Sequence, residues 1–219
     1  MSPTTLRQAL TLSLFLTIAC SRVAAGQDVP ATPAPAPPET EPSRVAEVAT
    51  FLAGGALGLA AHEGGHLLFN VAFDADPSLT RVDFHGIPFF AISHRADLPR
   101  RQEFVISSAG FWIQHAGSEW ILTRRPRVRF DRAPLTKGIL AFNILASGAY
   151  AGAAFARTGP DERDTRGMSV TSRLDERWIG ALVLAPAVLD AWRYYRPDIA
   201  WIKWASRAVK TGMVMLIVR

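Results

Sequence analysis

The chain has 219 residues, 49% of them hydrophobic and 20% charged, with a mean hydropathy of +0.13 and a formal charge of +5. This length sets one domain as the default, and Cys20, the single cysteine, excludes an internal disulfide. The balance suits a small multi-span protein with charged loops, and no aromatic-interleaved basic face or nucleic-acid motif marks the chain as a nucleic-acid binder.

The first 25 residues read as a secretory signal peptide. "MSPTTLR" supplies a short basic region, "ALTLSLFLTIA" an apolar one, and Val23 and Ala25 occupy the −3 and −1 positions of a cleavage site before Gly26. "TIAC", ending at Cys20, is a weaker match to a lipoprotein signal. Residues 26–43 form a Pro/Ala-rich linker, because six prolines between Pro30 and Pro42 favour extended geometry over helix.

Ser43 can cap a helix that begins near Arg44. From Val48 to Phe73 the only ionisable residues are His62, Glu63 and His66. Those 26 residues exceed the roughly 20 needed to cross a bilayer. "RVDFHGIPFFAISH", around His85 and His94, alternates in a way that fits a short β-hairpin or extended loop. Residues 104–123 form a second helix candidate, with His115 and Glu119 one turn apart. "RRPRVRFDR" after it reads as a membrane-surface flank.

Residues 138–156 are uncharged and rich in small side chains, which makes them the cleanest span. A polar loop, 157–177, separates them from a fourth helix candidate over 178–195 that carries Asp190. The C-terminal segment, 199–219, has Lys203, Arg207 and Lys210 at helical spacing and reads as an amphipathic helix on the membrane surface. The expected fold is therefore all-α: a small polytopic membrane bundle of about four spans over 44–198. With four spans the basic flank falls outside, against the positive-inside rule; a re-entrant 104–123 segment removes that conflict.

"HEGGH", residues 62–66, carries the chemistry. His62 and His66 project from one helix face and can bind one Zn²⁺, while Glu63 can act as general base toward activated water. Three ionisable groups within a span are costly unless they work together. A metzincin-type third His is absent, since Phe69 and Ala72 occupy its positions. Asp190, Glu119 and His115 are the candidates for a third ligand.

With Gly65 before the second His, the motif resembles the site-2 protease family of intramembrane zinc metalloproteases. "APAVLDA", containing Pro186, Leu189 and Asp190, is similar to that family's Asp-bearing segment, although Ala191 stands where the family has Gly. "AGFWIQ" is similar to its middle motif, with Gln114 in place of Asn and no Pro after Gly110. The resemblance implies zinc on His62, His66 and Asp190, Glu63 as base, and Gln114 as an oxyanion or substrate contact. It implies a multi-pass protein of the bacterial inner membrane cleaving peptide bonds of membrane-anchored substrates in or near the bilayer, with lipid and substrate as its partners. The rival expectations are a gluzincin-like peptidase using Glu119 and a non-catalytic zinc-stabilised membrane protein.

Overall fold

Ser43 starts the first helix as the sequence predicts: its side-chain oxygen accepts from the Ala46 N–H at 3.2 Å. The computed structural model describes residues 43–84 and 87–218. The predicted signal segment, Cys20, His85 and all of the linker but Ser43 lie outside the described residues. Helix α1 runs Arg44–Ala72 and ends where Asp74 and Asp76 adopt left-handed backbone, with φ of 53°. Strands β1, Ser78–Phe84, and β2, Ile87–Ser93, form an antiparallel pair, the hairpin alternative of the sequence reading. Four helices follow: α2, Arg100–Arg124; α3, Pro134–Ala156; α4, Asp164–Ser172; and α5, Glu176–Tyr195. The C-terminal helix α6 spans Ala200–Val218. Helix α4 lies inside the segment expected to be a polar loop.

The buried residues of α1 are small or polar: Gly54, Gly58, His62, Gly65, His66 and Asn70. Most recur every four residues, so they form one stripe on one face. The large apolar residues of α1 point outward instead, with Leu52 64% and Leu68 58% exposed. This inverts the pattern of a water-soluble helix, in which the apolar stripe faces the core. Helix α3 behaves alike: Asn143, Ser147 and Ala151 are buried while Leu145 is 71% exposed. Among the described residues, α1 and α3 are the two helices long and apolar enough to cross a membrane. That is fewer than the four spans expected, because α2 and α5 carry too many polar and charged residues to meet that test.

Contacts fix the helix directions. Gly54 meets Leu135 and Gly138, Gly58 meets Phe142, and His62 stacks on Tyr150, so α1 and α3 run parallel. A Cβ at Gly54 would strike the Leu135 carbonyl, and one at Gly138 the Phe51 carbonyl; glycine is what permits this close crossing. Helix α2 runs antiparallel to α1, since His62 lies on Gly110 and His66 bonds Ile106. Helix α5 runs antiparallel to α3, with Gly180 packed on Ala151 and Ala154 and Arg177 donating to the Phe155 carbonyl. Phe111, Met168, Ile179 and Val183 form an apolar cluster, with Tyr150 packed against it.

The expected basic face of α6 is engaged by carboxylates of the bundle. Arg207 and Lys210 turn inward to carboxylates on α2 and α5, and only Lys203 of the three stays exposed. Buried acids on the facing helices supply partners that the periodicity of α6 alone does not reveal.

Candidate metal centre

The stripe on α1 places His62 and His66 one turn apart, 2% and 5% exposed. Their Nε2 atoms lie 3.2 Å apart. One carboxylate oxygen of Asp164, the first residue of α4, completes the set, at 3.1 Å from His62 Nε2 and 3.3 Å from His66 Nε2. Zinc bound tetrahedrally at about 2.0–2.2 Å separates its ligands by about 3.3–3.6 Å. The observed triangle is close to one face of that tetrahedron. Among the described residues, His62, His66 and Asp164 are the group of His, Cys, Asp and Glu side chains that could hold a metal ion.

Surrounding contacts aim each donor. The His66 Nδ1–H donates to the Ile106 carbonyl at 2.8 Å, which turns Nε2 toward the triangle. Asn70, fully buried, donates to the His66 carbonyl one turn on. The His62 ring rests directly on Gly110: an added Cβ would lie 2.5 Å from both ring nitrogens. The same ring stacks on Tyr150, with centroids 5.8 Å apart, and meets the edge of Phe111. The Tyr150 hydroxyl hydrogen-bonds the Asp164 carboxylate.

Asp164 is held from both sides by one residue. Arg163 donates from Nε and a terminal nitrogen to the two Glu176 oxygens at 2.7 and 2.8 Å. Thr165 donates to Glu176 at 2.9 Å. Arg163, Thr165 and Glu176 are all buried, so this bidentate pair is well shielded. Gly167 lets α4 lie close on Ser107 of α2. Burial opposes ionisation of Asp164, but the facing His66 charge and hydrogen bonds from both imidazoles outweigh it and hold the carboxyl well below the usual carboxylate range. Burial likewise opposes ionisation of Glu176, and the bonds from Arg163 and Thr165 prevail to depress it.

Glu63 is half-buried next to the triangle and feels the charges of His62, His66 and Asp164. It takes no part in the triangle, as a general base requires. Gln114, expected as a substrate contact, is 2% exposed and lies one turn along α2 from Gly110. Both of its amide atoms are buried without a partner.

The expected third ligands lie elsewhere. Asp190 accepts from Lys210 at 2.7 Å and Ser206 at 2.9 Å, with Arg193 also close by. It is ten residues beyond Gly180, about 15 Å of helix rise away from the level of Ala151. The metal triangle is level with Tyr150, so Asp190 sits about three turns too far along α5. Glu119 pairs with Arg193, Arg207 and Lys210. His115 is 4% exposed, its ring bonded to the Val183 backbone. Asp164 was missed because the sequence reading sought ligands only inside apolar helices. One signal was available: "DTRGMSVTS" opens with an acid at a helix start, where carboxylates are favoured.

No family model matches this chain, and neither a curated protein nor a solved structure resembles it significantly.

Proposed function

We propose that this protein is a membrane-embedded zinc hydrolase that cleaves peptide bonds, with His62, His66 and Asp164 as its metal ligands. The reading rests on one observation: two buried imidazole nitrogens and a carboxylate oxygen converge with sides of 3.1–3.3 Å beside a free-standing Glu63. Three protein ligands leave a fourth position open, which separates catalytic from structural zinc sites. That count argues against a purely zinc-stabilised structural protein. A zinc ion held there supplies Lewis acidity and lowers the pKa of water toward neutrality.

The remaining roles belong to the chain. Glu63 accepts the proton of the attacking water and returns it to the leaving amine. Tyr150 and Glu176 fix the orientation of the Asp164 carboxylate. Gln114 has donor and acceptor capacity unspent inside the bundle, which suits it to a substrate amide. Membrane embedding is supported by the outward apolar faces of α1 and α3. His62 lies about 15 Å and His66 about 9 Å of helix rise from the end of α1, a depth that favours substrates with a bond at or below the membrane surface. The HEGGH motif keeps its likeness to site-2 proteases; the ligand from α4 departs from that family's pattern.

The test is Glu63→Gln in the full chain, assayed on membrane-anchored peptide substrates with zinc content measured in parallel. One zinc per chain with cleavage reduced at least 100-fold is expected. Undiminished cleavage by that variant overturns the assignment.

A further inference from the structure

Helices α1, α2 and α6 line a half-open cavity of about 1060 Å³. Its lining follows one face of α2 from Val105 to Arg124, about 28 Å of helix rise. Most of the wall is apolar, including Leu68 and Phe69 from α1, Ile113 from α2 and Met213 and Val214 from α6. The polar groups gather toward the C-terminal end of α2, where Glu119, Thr123 and Arg124 meet Arg207 and Lys210. Trp112 and His115 line the cavity between these ends, and the indole N–H and the His115 Nε2 are buried without partners.

The charges at the polar end do not cancel. Glu119 and Asp190 bring two negative charges, and Arg193, Arg207 and Lys210 bring three positive ones. Arg124 adds another at the rim. A ligand suited to this cavity is long, apolar along most of its length and anionic at one end. An acyl chain matches the length and the apolar character of this wall, and a phosphate matches the charge at its end. The outer rim also continues into the exposed apolar surface of Leu68, Trp120 and Val214, the surface from which a lipid would enter.

We propose that this cavity binds an anionic phospholipid, with an acyl chain along α2 and the phosphate at Arg124, Arg207 and Lys210. The Trp112 N–H is then available to an ester oxygen of the lipid. The site is separate from the metal triangle, and the proposal stands whether or not the chain is a hydrolase.

The test uses the full chain in detergent, titrated with phosphatidylglycerol, phosphatidylcholine and glycerol phosphate, with binding read by native mass spectrometry. Wild-type protein is expected to hold phosphatidylglycerol at least tenfold more tightly than phosphatidylcholine and to bind glycerol phosphate negligibly. Arg207→Gln removes one of the three phosphate-binding cations, halves the excess charge, and should cut that preference below threefold. Ala116→Trp, at an exposed position on the cavity wall, should block both lipids while leaving zinc content and helicity unchanged. Equal affinity for the two lipids overturns the proposal. So do binding of glycerol phosphate alone, a soluble acidic peptide binding in place of the lipid, or an Ala116→Trp protein that still binds as wild type. If Ala116→Trp fails to fold, the Arg207→Gln comparison decides.

Discussion

Gly110→Ala tests the geometry of the metal centre through a residue that carries no functional group. The new methyl would stand 2.5 Å from His62 Nδ1 and Nε2, and closer still to Cε1. Ordinary carbon contacts begin at about 3.5 Å, so the ring must retreat by about 1 Å. Tyr150 stacks on it, Phe111 meets it edge-on and His66 lies 4.9 Å away between ring centroids, which leaves little room to retreat. Metal–ligand distances tolerate only about 0.2 Å, so His62 is lost or badly placed as a ligand. We expect zinc affinity to fall about 10–100-fold, the range for losing support around a ligand, and stability to fall by about 1–3 kcal/mol from overpacking. Competition with a chromogenic chelator measures the first and thermal unfolding the second. Gly64→Ala is the control, because nothing lies within 4 Å of its added Cβ. Zinc affinity within twofold of wild type in a folded Gly110→Ala protein would refute the packing argument.

Other expectations follow from the same contacts. Asp164→Asn should lower zinc affinity at least tenfold, whereas Asp190→Asn should leave it unchanged and reduce stability, by up to about 3–5 kcal/mol, because Lys210 keeps only Glu119. Equal zinc loss in the two variants would contradict the assignment. Glu176→Gln should weaken zinc binding about tenfold by loosening Arg163 and Thr165 on either side of Asp164. The folded-state pKa of Glu176 lies below its ordinary value of 4.5, so its contribution is complete above about pH 4.5 and is lost as pH falls further. Melting temperatures of wild type and Glu176→Gln, measured without added metal, should therefore converge on acidification below that pH; a constant gap would contradict the linkage.

The sequence made five of the six helices and the His pair legible, and the hairpin as one of two alternatives, because each depends on local pattern. A four-residue spacing fixes His62 and His66 whatever surrounds them, and a 26-residue stretch with three ionisable groups announces α1. The third donor depends on how α4 folds back over α1 and α2, across 102 residues of chain, and local periodicity contains no such information. Asp190 misled for a related reason. Its burial was readable from the apolar run before it, but its partners are Lys210 and Ser206, brought by a helix whose docking the pattern does not encode. The carboxylate partners of Arg207 and Lys210 were not legible for the same reason.

The separation of Asp164 from the two histidines also bears on biosynthesis. His62 and His66 emerge from the ribosome about 100 residues ahead of the acid that completes their set. A nascent chain holding only α1 offers a metal two imidazoles, a weak and unselective grip. The full donor set exists only after α3 has aligned beside α1 and α4 has closed over both. On the proposed reading, metal capture has to wait for α4 to close over α1, and a misassembled chain lacks the complete donor set.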